Sequence, residues 1–285
     1  MRDLHGLGQK IAERVASAWS GSFSGHDVGV PLGAVAALTL LGRQADDAPH
    51  PAEQLLDADD ETVTQLLADV WCMFTILRPE LAFRCGPFGR WLNEESRNGP
   101  TASGAAAAVR AAVKAGLLDV TLDREAAREV DVLGYVHQEL RSSRAKQAQG
   151  QFYTPAPVAE FMARMSVGAA EPGQSICDPT AGTGGLLRAA GQALRAEGKD
   201  PYDYWWYACD IDAVAVAALS VNFHVWDLGP RVVVGCANVL AEAEWERRAV
   251  EEQRTAIAAQ HSRMAFASML ATLRAVERRN GSSPE

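Results

Sequence analysis

Between Gln174 and Ala237 the sequence passes three times through a short apolar run, with a helix-length segment between each run and the next. The runs are "QSICD", "YDYWWYACD" and "PRVVVGCA". The intervening segments are "TGGLLRAAGQALRAEG", closed by Gly198, and "AVAVAALSVNFHVW". Strands separated by helices cannot pair as tight hairpins. A βαβαβ alternation demands a parallel sheet with right-handed crossovers. "PVAEFMARMSV" adds a helix ahead of the first strand. Residues 146–240 are therefore expected to form an α/β unit.

The chain before this unit reads as helical over residues 1–145. "MRDLHGLGQKIAERVASAW" is amphipathic and lacks the apolar segment and cleavage site of a signal peptide. "VPLGAVAALTLLGR" places a proline where a first helical turn tolerates it. In "DDETVTQLLADVWCMFTILRPE" the residues Val63, Leu66, Leu67, Val70, Trp71, Phe74 and Leu77 follow helical spacing, and Pro79 ends the run. "TASGAAAAVRAAVKAG", ending near Gly116, and "REAAREVDVLGYVHQEL" predict two more helices. The acidic "QADDAPHPAEQLLDADD" reads as a loop or short helix with a solvated face. Residues 241–285 predict a helix from about Ala241 to Arg279, with Ile257, Met264, Phe266, Met269, Leu270 and Leu273 as its apolar stripe. A disordered tail, "NGSSPE", is expected to follow.

Composition narrows the partners. With 48% apolar residues in 285, a substantial core is available. No apolar run approaches the roughly 20 residues needed to span a bilayer, so no membrane partner is expected. The formal net charge of −9 argues against strong autonomous DNA binding, which draws on neutralised phosphates. Five scattered cysteines without a CxxC pair predict buried, reduced thiols in a cytoplasmic protein. No zinc motif is present, and His137 and His224 read as isolated surface or packing residues, so no metal is expected.

The turn "CDPTAGTGGLL" follows the first strand. In a doubly wound sheet this loop opens at the carboxyl edge, where ligands settle. Asp178 stands just past the strand, and Gly182, Gly184 and Gly185 permit positive φ and close approach. A P-loop needs GK[ST], and "GTGGLL" has no lysine. The dinucleotide fingerprint lacks its third glycine, because Gly182-Thr-Gly184 leads to Leu187. An adenosyl site remains, with Asp210 of "YACDID" placed to accept ribose hydroxyls. A plain βα turn with a helix-capping acid is the alternative reading.

"GQFYTPAPVAEFM", "DPTAGTGGLL", "ACDID", "LSVNFHVW" and "GCANVL", in that order over roughly Gly150 to Leu240, resemble the N6-adenine DNA methyltransferases of the type I restriction-modification modification-subunit class. The resemblance implies a helical N-terminal domain, a partial Rossmann-like S-adenosylmethionine-dependent methyltransferase domain and a C-terminal helix. It also implies cofactor contacts. Phe152, Thr154 and Pro155 of "FYTP" would lie over the methionine part of S-adenosylmethionine. Asp178, beside Pro179, would face its amino group, and Gly182 and Gly184 would allow close approach. Asp210 would take the ribose hydroxyls, and Ile211 would pack on adenine. Asn238 stands where the family commonly has an aspartate, and its amide oxygen can accept the adenine amino hydrogen.

Methyl transfer to adenine N6 also needs a flipped base held in a pocket. The family does this with [DNS]PP[YFW], and no Pro-Pro dipeptide occurs in this sequence. "DPYDYW" at Asp200 precedes the second strand and reads as a turn. After "ANVL" the chain enters a helix directly. The resemblance thus implies an S-adenosylmethionine-binding protein that methylates DNA adenine only where a partner supplies the catalytic loop. The alternative is a catalytically inactive binding or assembly module. A truncated gene product is a third reading. DNA would be reached through a partner subunit, and the C-terminal stripe would pair with a second protein chain or a second copy. The aromatics of "YDYWWY" are expected in the core and on the sheet face. Arg141, Arg144 and Lys146 read either as phosphate contacts or as a solvated linker.

Overall fold

The segment Gly29–Leu38 is apolar on all sides, so a helix made from it has no face suited to water. In the computed structural model, which describes residues 3–22, 27–41, 51–92, 99–141 and 154–280, every residue of that segment is buried. It forms the helix α2 (Gly29–Thr39), and the helical layer is built around it. α1 (Leu4–Ser22) buries Ile11, Val15 and Trp19. The short α3 (Pro51–Gln54) leads to α4 (Asp60–Leu77), capped by the Asp59 carboxylate, which accepts from Thr62 N at 2.8 Å. α5 (Pro79–Ala82), a 3-10 turn (Phe83–Cys85) and α6 (Gly86–Gly89) follow. α7 (Pro100–Ala115) packs on α1, α2 and α4 and ends at Gly116, whose φ of 107° is the left-handed helix stop. Then come α8 (Leu117–Thr121), α9 (Arg124–Glu129) and α10 (Val132–Leu140).

Three expectations are corrected here. The single helix expected over "REAAREVDVLGYVHQEL" is two, because Asp123 caps α9 and Asp131 caps α10 through Gly134 N at 2.8 Å. An aspartate that can bond its own following N–H groups favours a helix start over a helix interior. The acidic segment is not wholly solvated, since Ala52 and Leu55 are buried. Leu77, by contrast, is 66% exposed at the end of the α4 stripe.

The α/β unit begins with α11 (Ala156–Val167) and runs β1 (Ser175–Asp178), α12 (Gly185–Ala196), β2 (Trp205–Asp210), α13 (Ala213–Val225) and β3 (Val232–Cys236). The three strands are parallel in the order β1-β2-β3, with Cys177 opposite Tyr207 and Tyr207 opposite Val233. Alternation along β2 divides its aromatics. Trp206 is fully buried toward the helices, as is Tyr204 just before the strand, whereas Trp205 is 42% exposed on the other face. The start of α14 (Trp245–Asn280) covers that other face over β2 and β3, where Trp245 and Ala249 pack on Cys209 and Val233. Gly235 makes this possible: a Cβ there would meet Trp245 at 2.7 Å. α14 runs through Asn280, the first residue of the expected tail; residues 281–285 lie outside the described residues.

α13 is buried on both flanks because it lies between the sheet and the helical layer, touching α2, α6 and α10. One apolar cluster consequently runs from Ile11, Val35 and Val109 to Trp206, Phe223 and Val234. All five cysteines are free. Cys85 and Cys209 are buried, but Cys72 and Cys177 are exposed, contrary to the expectation of buried thiols. Among the described residues no helix is long and apolar enough to cross a membrane.

Candidate functional site

Parallel strands end on one side of their sheet, and here Asp178, Asp210 and Cys236 close β1, β2 and β3 at a common rim. A cavity of about 1090 Å³ opens along it, roofed on one side by Thr154, Pro155 and the first turn of α11. Its volume lies just above the roughly 300–1,000 Å³ typical of small-molecule pockets.

The β1–α12 turn is fixed from both ends. Thr180 N donates to Asp178 Oδ1 at 3.1 Å, Ala181 N to the Cys209 carbonyl at 2.8 Å, and Gly184 N to the Ala181 carbonyl at 2.8 Å. The two glycines with positive φ do different things. Gly182 (φ 56°) lies at the cavity, and a Cβ there would meet nothing within 4 Å. Gly184 (φ 99°) faces the packing beneath, where a Cβ would reach Leu219 at 2.6 Å and Trp226 at 2.9 Å.

Asp210 is held as firmly. Its Oδ2 accepts from Gly182 N at 2.8 Å and its Oδ1 from Asp212 N at 2.9 Å. Each oxygen keeps a lone pair for a ligand hydroxyl. Beside it Ile211 is 67% exposed and Leu240 is 96% exposed, apolar surfaces suited to a flat ring. Asn238 Oδ1 accepts from Leu240 N at 3.2 Å, which orients the amide in the loop after β3.

Thr154, Pro155, Asp178, Pro179, Gly182, Asp210, Ile211 and Asn238 all line this cavity. Gly184 is under the turn and not on the wall. Phe152 lies outside the described residues, as do Arg144 and Lys146.

Four more residues enter the site without having been singled out in the sequence. Asp131, from the helical layer, is half-buried and accepts from Thr183 Oγ1 at 2.6 Å and Asn222 Nδ2 at 2.9 Å as well as from Gly134 N. Burial pushes its carboxyl above the usual range, while those hydrogen bonds and Arg188 oppose the rise. Asp212 caps α13 through Val214 N at 3.0 Å, pairs with Arg141 and lies 3.3 Å from Nε2 of the fully buried His137. Burial would raise its pKa; His137 and Arg141 outweigh burial and bring it to about 2. Thr183 and Arg188 complete the set. The only sequence signal for the two aspartates is their position before a helix, and for Arg188 a lone charge among apolar residues in "GLLRAAG".

Asp178 is buried; burial, aided by the Asp210 charge, raises its carboxyl above the ordinary range, while the Thr180 hydrogen bond opposes the rise. The wall therefore carries Asp131, Asp178, Asp210 and Asp212 against Arg141 and Arg188. Such a surplus of carboxylates repels phosphates and suits a ligand with positive charge and hydroxyls. S-Adenosylmethionine has an ammonium, a sulfonium and a ribose diol, so the residues present fit it. Among the described residues no cluster of three or more His, Cys, Asp or Glu could hold a metal ion.

The fold and site define a parallel α/β unit with a glycine turn beside an acid at the end of the second strand. More specifically, residues 129–261 match the family model for N-6 DNA methylase. Among solved structures it is similar to the type I restriction-modification system methyltransferase subunit from Streptococcus thermophilus, at 17% identity and a TM-score of 0.44. That alignment covers 83% of this chain and 59% of the other, so the chain spans less than two thirds of that subunit. Comparison with curated proteins gave no match.

Proposed function

We propose that the cavity binds S-adenosylmethionine, and that the chain takes part in methylating adenine N6 in DNA when a partner supplies the catalytic loop. The observation that carries this reading is the Asp210 carboxylate, fixed by Gly182 N at 2.8 Å and Asp212 N at 2.9 Å at the mouth of the cavity. Two backbone donors pre-orient it, so little ordering cost is left for a ribose diol to overcome. Ile211 would flank the adenine, Asn238 would meet its amino group, and Asp178 would face the ligand's ammonium. When bound, the cofactor offers a methyl on a sulfonium: the C–S bond breaks as the C–N bond forms, and N6 loses a proton.

The layout implied is a helical domain over 1–145, an incomplete Rossmann-like cofactor domain over 146–240 and a C-terminal helix from 241. In a cytoplasmic setting DNA would be engaged through a partner subunit. Met264, Phe266 and Met269, 46–58% exposed on α14, would seat that partner or a second copy. A second reading, an inactive binding or assembly module, is favoured by the sequence itself, which holds no Pro-Pro pair to grip a flipped base.

Calorimetric titration with S-adenosylmethionine separates these. The wild type is expected to bind, and Asp210→Ala to bind at least tenfold more weakly, the loss of about two hydroxyl hydrogen bonds to a charged acceptor. Equal affinity in both proteins would refute the assigned role of Asp210. Binding without methyl transfer to any DNA, alone or with candidate partners, would leave the assembly reading.

A further inference from the structure

Among the described residues the cavity wall holds one cation whose role the fold does not use up. Arg141 is committed to Asp212. Arg188 sits on the first turns of α12 with only 3% of its surface exposed, and it lines the cavity. One arm, Nη1, donates to the Glu129 carbonyl at 2.6 Å and to Gln192 Oε1 at 2.8 Å, which fixes the plane of the guanidinium. The other arm, Nη2, lies 3.9 Å from Glu160 Oε1 on α11, beyond hydrogen-bond reach. Apart from the half-buried Asp131, whose carboxyl it draws down, this guanidinium has only so loose a counter-charge among the described residues, and a further anion would complete it. Glu160 is itself 39% exposed and can retract to water. Arg188 thus presents a fixed, planar, half-used fork between α12 and the residues of α11 that roof the cavity.

Building on the reading that the cavity takes S-adenosylmethionine, we propose that Arg188 binds the carboxylate of the ligand's amino-acid end, its Nη2 arm exchanging Glu160 for that carboxylate. The amino-acid end is a zwitterion. Asp178 would answer the ammonium and Arg188 the carboxylate, so the site would read both charges of one small group. Guanidinium and carboxylate match in plane and charge, and the pair is stronger when dry. The remaining carboxylates of the wall repel a bare carboxylate, which makes Arg188 the feature that admits this one.

The test compares two ligands that differ by that group, S-adenosylmethionine and decarboxylated S-adenosylmethionine, by calorimetry on the full chain. The decarboxylated ligand has one more net positive charge, so the acidic wall alone would favour it. Wild type is expected instead to prefer the carboxylate-bearing ligand by about 10- to 100-fold, the range of a charge-assisted pair. Arg188→Gln should reverse the preference, leaving the acidic wall to favour the decarboxylated ligand, whose affinity should not fall. Glu160→Gln, on a half-exposed side chain, should tighten only the carboxylate-bearing ligand. A wild type that binds both equally, or favours the decarboxylated ligand, overturns the role of Arg188 and leaves the cofactor site standing. An equal loss for both ligands in Arg188→Gln also overturns it, as the mark of a purely structural arginine. A wild type that binds neither ligand overturns the cofactor site and this proposal together.

Discussion

Asp212 shows how one side chain can serve the fold and border the site at once. It caps α13, its backbone N–H orients Asp210, and its carboxylate pairs with Arg141 next to His137. Burial works against its charge, yet the contacts with His137 and Arg141 take its pKa to about 2 from the ordinary 3.8. A folded-state pKa below the unfolded one means stability that is present above the unfolded value and lost as pH falls through the folded one. The shift corresponds to about 2 kcal/mol. Asp212→Asn keeps a capping oxygen and removes only the charge. It is expected to be less stable than wild type by about 2 kcal/mol at neutral pH. The gap should close between about pH 4 and pH 2, measured by urea midpoints along a pH series. A gap that stays constant to the acid end would show that the charge contributes nothing.

At the scale of elements, the strands and crossover helices could be read directly, because each carries its own period and its own stops. Gly198 and Gly116 end helices where left-handed φ is required, at 73° and 107°. Asp178 and Asp210 could be placed as well, since a residue at the end of a parallel strand faces the rim whatever surrounds it. What could not be read depends on contacts remote in sequence. The break at Asp131 depends on partners 52 and 91 residues away, Thr183 and Asn222, and the two faces of β2 depend on where α14 returns. α14 divides sharply for the same reason. Its first half packs Trp245 and Ala249 on the sheet and sends Gln253 Nε2 to the Val232 carbonyl at 2.7 Å, while residues 262–272 are mostly exposed. Trp245→Ala is therefore expected to cost about 3–5 kcal/mol. Deletion of residues 263–285 should leave the melting temperature within about 2 °C of wild type, because exposed residues bury little apolar area. A large drop on deletion would mean that the outer half of α14 is covered in solution, and light scattering of the full chain would then show a dimer.

At the scale of the whole molecule, the helical layer and the sheet share a polar joint as well as an apolar core. Asp131 reaches from the helical layer into the glycine turn, Asn222 ties that carboxylate to the Thr183 carbonyl at 2.9 Å, and Arg188 returns to the Glu129 carbonyl. Farther round, Arg84 donates to the Val234 carbonyl at 2.9 Å and pairs with Glu252, so α14 is bound into the same joint. A half-buried carboxylate with three donors is held firmly only while all three are in place, because each lost partner leaves a poorly solvated acceptor. The glycine turn is thus held in shape by the helical layer, and the two parts should not unfold separately. Hydrogen exchange tests this in one experiment. The slowest amides of α7 and of β2 are expected to open with the same free energy, the mark of one cooperative unit. Thr183→Val, which removes one donor to Asp131, should lower both by an equal amount of about 1–3 kcal/mol, and Thr183→Ser, which keeps it, should lower neither as far. If only α12 and β2 lost protection in Thr183→Val, the helical layer would be an independent domain and the joint merely a contact. If both fell together, the reach of Asp131 across the chain would account for how the glycine turn is fixed beside the three strands of the described residues.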